Sequence, residues 1–112
     1  MNAAFSLFVD ATGTYYYNEV VVVDAEGRVG AHHPLRVEDP FTLWLGGVAF
    51  FSCNQPEQPV PGDTLSHYLQ NLAVVDSQQS FQKTCEAPRV WHLTGVDISS
   101  GLFTSEIRKT EL

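Results

Sequence analysis

A histidine held beside a carboxylate is the pairing in this chain with the most chemistry in it. The 112-residue sequence contains four histidines, His32, His33, His67 and His92. A carboxylate that accepts a hydrogen bond from one ring nitrogen fixes the tautomer, which is how a general acid–base group is prepared. One stretch brings the two types within reach. Residues 14–24 read Thr-Tyr-Tyr-Tyr-Asn-Glu-Val-Val-Val-Val-Asp. Aromatic and β-branched side chains fit a pleated surface, so this is a strand. Asp24-Ala25-Glu26-Gly27 fits a type I turn closed by a glycine at positive φ, and residues 28–34 return beside the first strand. Counted from that turn, Asp24 faces Arg28, Val22 faces Gly30, Val20 faces His32 and Glu19 faces His33. Glu19 and His33 are therefore the candidate acid–base pair. The same pair also reads as a plain polar contact at a sheet edge.

Other chemistries find less support. A metal site needs at least three convergent ligands. His32 and His33 are adjacent on an extended strand and point to opposite faces. His67 falls on the outward side of a helical pattern, and His92 alternates with Trp91. No metal and no cofactor is expected. Cys53 and Cys85 match no zinc or redox spacing and read as reduced, small buried hydrophobes without a bridge. There is no Gly-x-Ser-x-Gly, no phosphate-cradling glycine loop and no dinucleotide fingerprint. The balance is against an enzyme.

The aromatic residues point elsewhere. Seven Phe, four Tyr and two Trp exceed what one small core needs. Tyr and Trp supply large rigid contact area with a polar tip. Tyr15, Tyr16, Tyr17, Trp44 and Trp91 are the candidate binding residues. On a strand Tyr15 and Tyr17 share one face, and Tyr16 takes the other.

Charge excludes two classes of partner. Thirteen acids face six bases, for a net charge of -7. There is no Lys or Arg between Met1 and Gly27, and none between Val37 and Gln82. Nucleic acids and anionic membranes both require clustered cations, so neither is an expected partner. The N-terminal stretch lacks a basic leader, and the apolar run 41–53 is far shorter than the roughly 20 residues that span a bilayer. The expected compartment is the cytoplasm.

These residues need a scaffold. Residues 5–10 form a first strand, turning at Ala11-Thr12-Gly13 into the tyrosine strand, so that two successive hairpins make a meander. Glu38-Asp39-Pro40 is a helix-start signal. The run 41–53 is either one strand or a short helical turn broken by Gly46-Gly47 before a strand. Asp63 caps the one clear helix, 64–75. Leu65, Tyr68, Leu69 and Leu72 form its apolar stripe, and Ser66, His67, Gln70 and Asn71 fall away from it. Strands follow at 89–98 and 102–109. The expected fold is α+β: a single domain with a twisted antiparallel sheet of about five or six strands and one helix against it. The expected function is non-catalytic binding through an aromatic sheet face, to a second copy or to another protein. The alternative is an aromatic-lined pocket between sheet and helix that takes a small apolar ligand, with weak acid–base chemistry at a histidine. A third reading is an acidic inhibitor of a basic site.

Overall fold

The valine and tyrosine run forms the second of seven strands. The computed structural model describes residues 1–10, 12–36, 42–52, 55–79 and 89–112, with only the backbone considered over 73–79. The elements are β1 (Asn2–Val9), β2 (Tyr15–Val23), β3 (Val29–Pro34), β4 (Thr42–Trp44), β5 (Val48–Ser52), α1 (Leu65–Gln79), β6 (Arg89–Val96) and β7 (Phe103–Glu111). The sheet runs β3-β2-β1-β5-β6-β7, with β4 also paired to β1. Among the described residues it is an open, mostly antiparallel sheet with one helix, an α+β fold. The parallel pairs were not anticipated: β1 lies parallel to β4 along its first half and to β5 along its second.

Two tight turns build the meander. Asp10 closes the first, its carboxylate accepting from the Thr12 hydroxyl and from the backbone N–H groups of Thr12 and Thr14. Those hydrogen bonds, the Thr12 hydroxyl first, hold the Asp10 carboxyl below the usual range. The second turn is the one read from sequence: the Asp24 N–H donates to the Arg28 carbonyl at 2.9 Å, and Gly27 sits at φ 81. Beyond it the counted register fails. Val23 faces Val29, but Val22 faces Ala31, Val21 faces His32, Val20 faces His33 and Glu19 faces Pro34. A bulge between Val22 and Val23 displaces every later pair by one. Gly30 is the extra residue, and a glycine inside a strand is a common mark of a bulge.

The described part of the apolar run, residues 42–52, is neither one strand nor helix plus strand. It gives two strands separated by Leu45-Gly46-Gly47, which raises the strand number to seven. Gly47 lies at φ 64, and a side chain there would fall 2.3 Å from the Leu93 carbonyl oxygen. No other residue fits without moving β6. The helix-start signal at Asp39-Pro40 lies outside the described residues, as do Cys53 and Cys85.

The helix forms as its stripe requires. Thr64, not Asp63, is the cap: its hydroxyl accepts from the His67 N–H, while Asp63 accepts from the His67 ring at 2.7 Å. Leu65, Tyr68 and Leu72 are buried and Leu69 half-buried; Ser66, His67, Gln70 and Asn71 are exposed. They pack on Leu7, Val9, Val48, Phe50, Leu93, Phe103 and Ile107. The opposite face holds a second cluster, including Ala3, Phe5, Phe8, Val21, Ala49 and Val90. The middle of β2 is thus covered on both sides, Val20 and Val21 having no exposure, and this is achieved within one protomer.

Candidate functional site

A kink in three adjacent strands brings the chemically interesting side chains together. The β1–β2 register holds from Asn2↔Val22 to Val9↔Tyr15, but the ladder lacks the Ser6–Asn18 pair. Asn18 is the one non-glycine residue at positive φ among the described residues, at 52°. Asparagine tolerates this region better than other side chains that carry a Cβ. The neighbouring chain jogs at the same level: Leu45 and Gly46 N–H groups both donate to the Ala4 carbonyl, and the Leu7 N–H donates to the Gly47 carbonyl. His92 pins the jog by donating Nε2–H to the Gly46 carbonyl at 2.9 Å, its ring edge-on to Phe5.

The consequence is a change of face. In a regular strand, residues three apart point to opposite sides. Here Phe5 and Phe8 join one cluster, while Leu7 and Val9 join the other. On β2, Glu19 pairs with Phe5 and Tyr16 packs on the same cluster as Phe8. The kink thereby puts Tyr16 and Glu19 on one side of the sheet. His32 arrives from β3 as the partner of Val21.

Glu19 meets His32 there, Oε2 to Nδ1 at 2.5 Å. The carboxylate side chain is 3% exposed and the imidazole 31%. The imidazole lies against the rings of Phe8, 5.0 Å away, and Tyr16, 4.8 Å away, which themselves lie 6.1 Å apart. The Tyr16 hydroxyl donates to Asp10 at 3.1 Å, and that bond is the first cause that pushes its phenol above the ordinary value. A carboxylate only accepts, so Nδ1 carries the shared proton. The arrangement can orient an imidazole and compensate its charge.

His33 does not take this place. The bulge at Gly30 leaves it opposite Val20 on the other face, its Nδ1–H donating to the Pro34 carbonyl at 2.9 Å. The carboxylate of the expected pair was legible and its histidine was one residue off. The lone glycine in β3 was the available signal.

The aromatic candidates divide three ways. Tyr15 and Tyr17 are 40% and 60% exposed and pair with Val9 and Leu7 on the helix side of the sheet. Trp44, 54% exposed, pairs with Ala4 and so lies on that side too. Tyr16 walls the His32 site on the reverse. Trp91 is buried in the helix-covered core, with the Lys109 ammonium over its ring at 5.4 Å, and packs rather than presents a surface.

Among the described residues no group of three or more His, Cys, Asp or Glu is placed to hold a metal ion. No helix among them is long and apolar enough to cross a membrane. Compared with protein-family models, with curated proteins and with solved structures, the chain matches none.

Proposed function

We propose that the chain is a small cytoplasmic protein that works by association rather than catalysis. It buries the aromatic strip of its sheet against another protein, in the first instance a second copy of itself. The observation that carries this reading is the exposure of Tyr15, Tyr17 and Trp44 on one side of the sheet, beyond the cover of the helix. Large rings with polar tips are the side chains enriched at protein interfaces. The strip adjoins β3, an edge strand of the sheet, which can extend the contact.

The charge of the chain sharpens the test. Two copies at -7 repel, so the apolar contact must outweigh that repulsion. Added salt screens the repulsion and leaves apolar burial intact, so the dimer should tighten with ionic strength. Sedimentation or light scattering at tens of micromolar, in low and high salt, decides this. Tyr17→Ser with Trp44→Ser should yield a folded monomer. A wild-type protein that is monomeric in both salts would overturn the reading.

A second reading is a binding site for a small apolar ligand with weak acid–base chemistry. The Glu19–His32 pair, with the imidazole against the rings of Phe8 and Tyr16, favours it. The space between sheet and helix favours it less, because Phe50, Tyr68 and Phe103 pack edge-on against one another there.

A further inference from the structure

We propose that His32 is a proton-accepting site, oriented by Glu19, that takes a flat ligand bearing an acidic O–H, a phenol or an enol. The Glu19 carboxylate is almost wholly enclosed and meets Nδ1 of His32. With the proton on Nδ1, a neutral imidazole keeps its lone pair on Nε2. The Nδ1 side of the ring meets a buried group, which leaves Nε2 as the nitrogen a ligand would have to reach. The His32 side chain as a whole is 31% exposed.

The surroundings select the shape of the ligand. Phe8 and Tyr16 already lie against the imidazole, their planes tilted 53° and 55° to it. A conjugated ring reaching Nε2 would extend that arrangement with offset or edge contacts. The Tyr16 hydroxyl is engaged by Asp10 and does not compete for Nε2.

The backbone supplies an independent observation. The left-handed conformation at Asn18 is what places Glu19 and Tyr16 on the same side of the sheet. Unfavourable conformations of this kind persist where the surrounding structure enforces them, and they concentrate at functional sites. The transfer balances without a co-reactant. The O–H bond of the ligand breaks, its electron pair stays on oxygen as an oxyanion, and the proton bonds to Nε2. The imidazolium is compensated by Glu19, and release reverses the step.

This site is separate from the association strip, which lies on the other side of the sheet, so either proposal can fail alone. The probe is 4-nitrophenol with the full chain, at a fixed pH near the probe's own ionisation, read by phenolate absorbance. Long-range nitrogen–proton NMR reports the His32 tautomer in the same sample. The expected result is a proton on Nδ1, a saturable rise in the phenolate fraction, and loss of that rise in His32→Gln. Glu19→Gln should weaken binding on the order of tenfold, the loss of one hydrogen bond to a charged group. Tyr17→Ser should leave it unchanged. A proton on Nε2 with Nδ1 bare, no saturable change up to the probe's solubility, or equal binding by His32→Gln would each overturn the proposal. The tautomer measurement needs only the wild-type protein, so it stands even if a variant fails to fold.

Discussion

Replacing His32 by phenylalanine should destabilise the protein far more than replacing its partner. The substitution keeps a ring against Phe8 and Tyr16, so little packing is lost. What it removes is the proton that the Glu19 carboxylate accepts, and that carboxylate is 3% exposed. Leaving a buried polar group without its hydrogen-bond partner costs about 1–3 kcal/mol, and more when the group is charged. A domain of this size is stable by roughly 5–15 kcal/mol, so the loss is a large share of the whole. Glu19→Met together with His32→Phe removes both the carboxylate and its donor and keeps comparable volume. Such apolar replacements are often neutral or stabilising, so the double variant should recover most of the loss. The assay is urea unfolding followed by far-ultraviolet circular dichroism, with equal slopes required before midpoints are compared. A cost for His32→Phe below about 1 kcal/mol, or no recovery in the double variant, would refute the claim that Glu19 is a buried carboxylate held by His32.

Three further outcomes are expected. Asn18→Gly should leave stability within a few tenths of a kcal/mol, while Asn18→Val should cost about 1–3 kcal/mol, because a β-branched side chain resists positive φ; equal midpoints for the two would mean the kink does not depend on that conformation. Gly47→Ala should cost about 1–3 kcal/mol or more by driving a methyl into the Leu93 carbonyl, read from the same denaturant curves. Burial, and then the charge of Glu57, push the Tyr68 phenol up to about 12, and its hydroxyl donates to the Glu57 carbonyl. Because the folded value lies above the ordinary value of 10.0, the stabilisation is complete below pH 10 and is lost as pH rises towards 12. Spectrophotometric titration should show one tyrosine ionising last, together with unfolding, and Tyr68→Phe should remove that step; an unchanged alkaline profile would contradict the assignment.

The parts of the fold legible in the sequence are those set by local pattern. The β2 strand follows from its tyrosines and valines, and the Asp24–Gly27 turn from the chemistry of a glycine at positive φ. The helix follows from a stripe at 3.6-residue spacing, with Leu65, Tyr68 and Leu72 buried as that spacing requires. What was not legible depends on partners far along the chain. Nothing local in Leu43-Trp44-Leu45 says that β4 will lie parallel to β1. The cap is Thr64 rather than Asp63: the helix begins at Leu65, the Thr64 hydroxyl accepts from the His67 N–H, and the Asp63 carboxylate is taken by the His67 ring four residues on.

The candidate site turns on breaks in alternation, which period-2 reading cannot supply. Counting Tyr16 and Glu19 along a regular strand separates them, and the left-handed Asn18 reunites them. Counting back from the turn aligns Glu19 with His33, and the bulge at Gly30 delivers His32 instead. Each irregularity reverses a face, and together they place a carboxylate, an imidazole and two aromatic rings from three strands in one cluster. Regularising either strand would undo that cluster with every residue type unchanged. The chemistry proposed for this face therefore rests on two backbone irregularities as much as on the side chains themselves. The exposed strip of Tyr15, Tyr17 and Trp44 lies on the reverse side, where the same kink turns Tyr17 and Leu7 towards the helix layer. One local distortion thus sets Tyr16 beside His32 on one side of the sheet and Tyr15 and Tyr17 on the other.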